Sequence, residues 1–253
     1  MKLIWKCAFL FLILCSAQPG ENWIQLFNGK DLDDWTAKFS GFEAGVNYKN
    51  TFAVEDGLLK VSYDAYDTFG NKFGHLFYKD KFSNYKLRAE YRFTGEQVAD
   101  APQWAFRNNG LMLHCQSPQS MALNQAFPVC VEVQLLGDDG TANRPCGNPC
   151  TPGSHIMEKD SLITEHCPSF SDKTADADTW HTMEVVVKGS TSFTHILDGD
   201  TVAYYEKPQL DPDDPTTQQF LKGGNLLLGE GYIAIQAESH PTEFRKIELL
   251  VLK

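Results

Sequence analysis

The chain has 253 residues, of which 42% are hydrophobic, and a formal net charge of −11. A surface this acidic repels phosphate backbones and anionic lipids, which excludes nucleic acid as a natural partner. A neutral, hydroxyl-rich ligand such as a sugar suits this charge better.

The first residues, "MKLIWKCAFLFLILCSAQPG", have the layout of a secretory signal peptide. Two lysines precede an apolar run from Ala8 to Leu14 that is too short to span a bilayer. We predict a signal peptide over residues 1–17, with cleavage after Ala17, and a periplasmic or secreted product. Loss of its two lysines would take the charge to about −13 (−11 minus 2). The alternative is a lipid anchor at Cys15 in the cell envelope, although Leu14 is unusual for that signal.

Residues 18–253 are predicted to form a single all-β domain, because short strand-like segments alternate with sharp turns and no amphipathic helix of three turns appears. No later segment is apolar enough to span a membrane. Turns are predicted at Glu55–Gly57, Asn108–Gly110, Gly137–Gly140 and Asp198–Asp200. The pattern indicates two packed antiparallel sheets, a jelly-roll-like β-sandwich. The predicted strands are Ile24–Phe27, Phe52–Glu55, Leu58–Val61, Gly74–Tyr78, Tyr85–Phe93, Gly110–Cys115, Val129–Leu135, His181–Lys188, Ser192–Leu197, Thr201–Tyr205, Tyr232–Ala237 and Phe244–Leu252.

The segment Gly137–Thr179 shows little strand or helix pattern, but it contains several prolines and three cysteines. We predict an ordered flap over one face of the sandwich, because cross-links would hold such a segment in place. Export favours disulfides over a zinc site in the flap. The cysteines outside the signal peptide are odd in number, so one thiol must stay unpaired within the chain: Cys115, Cys130, Cys146, Cys150 and Cys167.

Three predicted strands each combine an aliphatic face with a polar face. In "FPVCVEVQLLGDD" the aliphatic residues alternate with a glutamate and a glutamine, and "GLMLHCQ" and "YIAIQAESH" repeat the arrangement. A lone strand glutamate is more often a solvated residue, and a lone histidine more often a structural one. Three polar faces together would form a platform for sugar hydroxyls. The platform residues predicted in this way are His114, Glu132, Gln134, Gln236, Glu238 and His240.

Four other features are candidates for the site. Arg245 is predicted to share a strand face with Ile247 and Leu249 and to pair with a groove carboxylate. Trp104 is suited to stacking on a sugar ring, although core packing explains it equally well. His155 is a weaker ligand-binding candidate. The acidic turn Asp211–Asp214 lacks the spacing of a calcium loop, so a solvated turn is favoured.

The chain resembles the 3-keto-disaccharide hydrolase domain family. Its segments "WIQLFNGKDLDDWTAK", "FAVEDGLLKV", "FSNYKLRAEYRF", "NNGLML", "VEVQLLG" and "GYIAIQAESHPTEFRKIELL" follow the order of that family from Trp23 to Leu252. The resemblance implies a concanavalin A- or laminin G-like jelly roll, exported by bacteria, that hydrolyses 3-keto-glycosides. It supports Glu132, Gln134, His240 and Arg245 as groove residues.

The segments "GNPCTPGSHI" and "EHCPS" resemble a branch of the family with a flap disulfide, which implies a Cys150–Cys167 bond that would hold His155 over the groove. The chain departs from many relatives at His114, where they have an arginine.

The family chemistry does not require the carboxylate pair of an ordinary glycosidase, and "EVQ" supplies one carboxylate and one amide. A C3 ketone acidifies the C2 proton, so a base can remove it and the enolate can expel the C1 substituent before water adds. We assign Glu132 as base, Arg245 or a divalent metal as enolate stabiliser, and His240 or His114 as acid. No cofactor is certain. The alternatives are a non-catalytic carbohydrate-binding module and a structural partner in a surface assembly.

Overall fold

The computed structural model describes residues 21–140, 144–176 and 178–253, so the predicted signal peptide and the lipid-anchor alternative at Cys15 lie outside the described residues. The described residues form sixteen strands and no α-helix. No described helix has the length and apolarity needed to cross a membrane. Short 3-10 turns lie at Tyr48–Asn50, Gln103–Ala105, Pro118–Ser120 and Leu221–Gly223.

The strands pair into two antiparallel sheets, one of ten strands and one of six. The larger sheet has the order β11-β10-β14-β13-β12-β6-β16-β4-β3, with β1 also paired to β16. Its strands are β1 (Ile24–Gln25), β3 (Phe52–Glu55), β4 (Leu58–Val61), β6 (Asn84–Phe93), β10 (Ser154–Glu158), β11 (Ser161–Ile163), β12 (His181–Lys188), β13 (Ser192–Leu197), β14 (Asp200–Leu210) and β16 (Thr242–Val251).

The smaller sheet has the order β2-β5-β15-β7-β8-β9. Three of its four interior strands, β15, β7 and β8, are the segments with the predicted polar faces, and the structure makes them neighbours. The strands are β2 (Trp35–Phe39), β5 (Gly74–Phe82), β7 (Asn108–Cys115), β8 (Val131–Leu136), β9 (Pro149–Cys150) and β15 (Gly231–Ala237).

The core lies between the two sheets and is built from the aliphatic faces that the alternation predicts. On β8, Val131, Val133 and Leu135 are completely buried, as are Ile233 and Ile235 on β15. These side chains belong to one hydrophobic cluster with residues of the larger sheet. The antiparallel sandwich predicted from the sequence is therefore confirmed, and each predicted strand has a counterpart in the structure.

The predicted turns differ in outcome. The Glu55–Gly57 and Asp198–Asp200 turns are confirmed, with positive φ at Gly57 and Gly199. The prediction of a turn at Asn108–Gly110 is wrong, because these residues open β7 and pair with Leu136–Gln134 on β8. Neighbouring strands satisfy their backbone groups, which outweighs the local turn preference of Asn-Asn-Gly.

The flap segment contains more regular structure than its sequence suggests. It supplies β9 to the smaller sheet and β10 and β11 to the larger one, so it joins edges of both sheets as well as bordering a cavity. The disulfide between Cys150 and Cys167 is confirmed. Three buried cysteines of the described chain carry free thiols: Cys115, Cys130 and Cys146.

Candidate functional site

A row of polar residues crosses the outer face of the smaller sheet. Gln134 on β8 pairs with Gly110 on β7. Gln236 on β15 pairs with His75 on β5, and His75 also pairs with Lys38 on β2. Residues paired across strands project from the same face of a sheet. Gln236 and His75 are completely buried, so this face is covered by other parts of the chain.

Glu132 lies two residues before Gln134 on β8, on the same face of the sheet, and pairs with Met112 on β7. Its carboxyl group reaches diagonally over Gly110, where an added Cβ would stand 2.3 Å from Oε1. Glu132 is 5% exposed, and its Oε1 atom has no hydrogen-bond partner among the described residues. A glycine at position 110 therefore creates the space that holds this buried carboxyl group.

A cavity of about 560 Å³ opens above Glu132. This volume is in the usual range for small-molecule sites. The sheet provides its floor through Asn108, Glu132, Gln134, Leu136 and Glu238. Its walls come from loops and from the flap, chiefly Trp104, Phe127, Arg144, Pro152 and His166, together with the Cys150–Cys167 disulfide.

The cavity contains two carboxyl groups, Glu132 and Glu238, and both are almost completely buried. Burial raises the pKa of Glu132 to about 8, with the nearby Gln236 amide acting in the opposite direction. Burial also raises the pKa of Glu238 well above its ordinary value. The charge of Glu132 raises it further, and that of Arg144 lowers it. Two interacting carboxyls lose their protons in separate steps, so one ionises before the other.

This pair was not expected from the "EVQ" strand, which offers one carboxylate. The second carboxylate comes from the end of β15, two strands away in the sheet. Glu238 was predicted as a binding residue, and the structure places it in the same cavity as Glu132. The arrangement can hold one proton donor and one proton acceptor at the same time.

Arg144 supplies the positive charge of the cavity. Its Nη2 atom donates to the Trp104 carbonyl oxygen at 3.1 Å and its Nη1 atom to the Gly137 carbonyl oxygen at 3.3 Å. Burial lowers its pKa, although a guanidinium stays charged at neutral pH. The residue lies in the irregular flap, where no periodic pattern points to it, and it is not among the site residues predicted from the sequence.

Arg245 lies on the opposite side of the molecule, so its predicted pairing with Glu132 or Glu238 is wrong. Its Nε atom donates to Glu90 Oε2 at 2.5 Å, and its guanidinium lies 4.6 Å from the Trp180 ring centroid. The cause is a β-bulge in β16 between Phe244 and Lys246. The extra residue reverses the alternation, so that Arg245 points outward.

His114 does not line the Glu132 cavity. Its ring packs 5.1 Å from Phe193 of the larger sheet, and its Nδ1 atom is 2.9 Å from the Leu228 carbonyl oxygen. The pairing of β7 with β15 shifts between Met112 and Cys115, where β7 has one residue more than β15, and this bulge and the positive φ of 51° at His114 break the alternation. Burial lowers its pKa to about 4.

His240 is buried beside the cavity instead of within it. Its ring lies 5.0 Å from that of Phe106 and 5.8 Å from that of Phe93. Burial first, and then the charges of Arg107 and Arg144, lower its pKa to about 4. A neutral imidazole at this position has no acidic proton to offer at neutral pH, which disfavours the acid role assigned from the sequence.

Two other predicted binding residues also border open space. Trp104 is 56% exposed and stacks on Phe73, with an angle of 7° between the rings, while its own side chain lines the Glu132 cavity. His155 lines a second cavity, together with His166. Phe127 and His166 border both cavities.

No three His, Cys, Asp or Glu side chains of the described residues converge as metal ligands. The Glu132 cavity itself offers two carboxyls among amide and apolar groups. We therefore assign no step to a metal.

The fold and the site define a jelly-roll domain with a buried, carboxyl-lined cavity on the outer face of its smaller sheet. The chain belongs to the family of 3-keto-alpha-glucoside-1,2-lyase-like domains, whose sequence profile matches residues 22–250. The resemblance stated from the sequence is thereby confirmed, and the family makes the chain a carbohydrate-active, glycosyl-hydrolase-like protein at the coarse level. Among curated protein sequences, none matches the chain significantly.

Solved structures share the fold at low sequence identity. A presumed glycosyl hydrolase from Parabacteroides distasonis has a TM-score of 0.54 and 18% identity, covering 91% of this chain and 100% of the other. A galectin-like protein of unknown function from Bacillus subtilis has a TM-score of 0.52 and 11% identity, with coverages of 92% and 96%. A Bacillus licheniformis β-glucanase has a TM-score of 0.53 and 9% identity, covering 93% and 100%. These likenesses confirm the jelly-roll fold.

Proposed function

We propose that this protein cleaves 3-keto-glycosides by base-promoted elimination, followed by addition of water. The observation that carries the proposal is the buried carboxyl pair, Glu132 and Glu238, in one cavity with Arg144. Family membership supports the same reaction class.

The proposed reaction begins at the C2 proton, which the C3 ketone makes acidic. Ionised Glu132 removes this proton, and the electron pair moves to the ketone oxygen as an enolate. Arg144 stabilises the developing negative charge by its own positive charge. Glu132 is assigned as base because its carboxyl group lies in the floor of the cavity and its pKa of about 8 leaves a fraction of it ionised at neutral pH.

The second half of the reaction expels the group at C1. The enolate electrons return to form the C1–C2 double bond of the product enone while the C1–O bond breaks. Protonated Glu238 gives its proton to the leaving oxygen, a role that its raised pKa favours. Water then adds across the double bond, with hydroxide to C1 and a proton to C2, and net hydrolysis results.

Ordinary glycoside hydrolysis is the second candidate, because the same carboxyl pair provides one acid and one base or nucleophile. In that reaction an unoxidised sugar is a substrate. In the elimination it is not, because the C2 proton is acidic only beside a ketone. The non-catalytic binding module remains the third candidate.

We also propose that the protein is periplasmic or secreted, with a lipid anchor at Cys15 as the alternative. The layout of residues 1–17 supports export. The Cys150–Cys167 disulfide supports it independently, since such bonds persist in oxidising compartments.

Incubation with a 3-keto-disaccharide and with its unoxidised parent tests the proposed reaction. Release of free sugar from the keto form alone is the expected result, in the presence and absence of a chelator. Release from the parent would establish ordinary hydrolysis instead. Binding of either sugar without turnover would establish a carbohydrate-binding module. Loss of turnover in Glu132→Gln, which keeps the shape of the side chain, would show that the reaction takes place in this cavity.

A further inference from the structure

A second cavity, of about 420 Å³, lies beside the Glu132 cavity and shares with it the side chains of Phe127, Pro152 and His166. We infer that this cavity is the binding site for the leaving group, and that the leaving group is a neutral sugar. The inference rests on the proposed function and deepens it, because it states which substrates the site accepts.

The cavity is shaped by the tight turn that joins β9 to β10. Gly153 has a φ of +63°, and a Cβ there would stand 2.9 Å from Val129 Cγ2. The turn is tied down by Ser154, whose Oγ donates to the Cys130 carbonyl oxygen. A side chain at position 153 would prevent this close approach, so the glycine sets the direction in which His155 leaves the turn.

Two polar side chains face one another in this cavity. His155 Nε2 lies 3.4 Å from Asp211 Oδ1, and the other ring nitrogen of His155, Nδ1, is buried without a hydrogen-bond partner among the described residues. A buried polar atom without a partner has a free energy cost that a ligand can remove. A sugar hydroxyl can donate to one group and accept from another, which suits an imidazole beside a carboxylate.

The charge of the cavity selects against anionic ligands. Asp211 and Asp214 both contribute to its lining, and no lysine or arginine among the described residues does. Asp214 is also occupied in holding its own turn, since its Oδ1 accepts from Thr216 N at 2.7 Å and from Thr216 Oγ1 at 2.6 Å. A phosphate or carboxylate leaving group would be repelled, whereas an uncharged hexose would not.

The shared wall indicates how a substrate would span the two cavities. Phe127 is supported from behind by Phe73, with ring centroids 5.0 Å apart, and by His75, at 5.9 Å. An aromatic ring offers an apolar surface against which the C–H face of a sugar can pack. With the 3-keto ring in the Glu132 cavity, the scissile bond crosses this wall and the second ring enters the His155 cavity.

The test compares a 3-keto-disaccharide with the methyl glycoside of the same 3-keto sugar, which has no second ring. In Asp211→Asn we expect kcat/KM for the disaccharide to fall about tenfold, as for loss of a charged hydrogen bond, and kcat/KM for the methyl glycoside to stay within twofold. The amide retains an oxygen that can accept from Asp213 N, so the turn is preserved. Asp213→Asn, on the exposed side of the same turn, is the matched control and should leave both substrates unchanged.

His155→Gln provides a second variant with the same expected selectivity. Equal losses on both substrates, or no loss on either, would overturn the leaving-group site. If the wild-type protein turned over neither substrate, the proposed function would fail. In that case, calorimetric measurement of glucose binding tests the leaving-group site independently of turnover. Weaker binding by Asp211→Asn than by the wild type supports the site, and equal or undetectable binding by both overturns it.

Discussion

The carboxyl group of Glu132 occupies the space that any side chain at Gly110 would need. An added Cβ would lie 2.3 Å from Oε1 and 2.9 Å from both Cδ and Cγ of Glu132. The two residues are on adjacent strands, β8 and β7, so the glycine of one strand and the carboxyl group of the other form a single structural unit.

Gly110→Ala should displace the Glu132 carboxyl group while leaving the sandwich intact. We expect turnover of a 3-keto-disaccharide to fall at least about tenfold and stability to fall by about 1–3 kcal/mol, as for other overpacked sites. Steady-state kinetics and urea unfolding measure the two effects. Gly223→Ala is the control, because a Cβ there meets nothing within 4 Å. Full activity of the Gly110→Ala protein would show that the position of Glu132 does not matter.

Glu132→Gln should fold normally and lose at least about a hundredfold in turnover, because an amide cannot accept the C2 proton. The wild-type rate should rise with pH through an apparent pKa near 8, since the base works only when ionised. This rising limb should be missing from the residual activity of the variant. Glu96→Gln, an exposed substitution, is the control. Near-normal turnover by the folded Glu132→Gln protein would transfer the base role to another residue.

The stability of the protein should fall as the pH rises from about 5 to 8.5. The ordinary pKa of Glu132 is 4.5, and the folded protein raises it to about 8. The folded state thus holds a proton that the unfolded state releases above about 4.5, and the stability linked to it is lost as the pH rises through 8. Between these pH values, we expect the wild type to lose about 2–5 kcal/mol relative to Glu132→Gln. Parallel pH profiles of urea unfolding would contradict a buried protonated Glu132.

Substitutions of Arg144 and Arg245 provide a matched pair of variants. Arg144→Met should reduce kcat about a hundredfold, because it removes the positive charge beside the developing enolate. Arg245→Met removes an arginine 47% exposed on the other sheet, and kcat should stay within twofold of the wild type. Comparison of kcat for the two proteins, both checked by circular dichroism, tests this assignment. A large loss of kcat in Arg245→Met and a small loss in Arg144→Met would contradict this assignment and favour Arg245 as the catalytic arginine.

The fold could be predicted from the sequence because most strands keep a strict period of two. Val131, Val133 and Leu135 face the core, and Glu132 and Gln134 face outward, as their alternation requires. The same rule failed at Arg245 and His114. In both places a β-bulge adds a residue, which reverses the phase, and nothing in the side-chain pattern marks the insertion.

The sequence predicted the floor of the site and two parts of its wall, Trp104 and the Cys150–Cys167 disulfide, but not its positive charge. Glu132, Gln134 and Glu238 were found because strands give regular patterns. Arg144 was missed because its flap segment has no period and reaches the cavity through tertiary contacts with backbone carbonyls. Similarly, the pKa values of Glu132 and Glu238 depend on burial by residues distant in sequence, which no local pattern reports.

The Cys150–Cys167 bond makes the wall of the Glu132 cavity sensitive to the redox state of the compartment that holds the chain. The bond connects β9, at the edge of the smaller sheet, to the segment that carries His166, and both cysteines border the cavity. Before oxidation, that segment has no covalent tie to the sheet and the wall is free to open. On the export route proposed above, chains in the reducing cytosol would lack this bond, and the cavity wall would be tied to the sheet only after translocation.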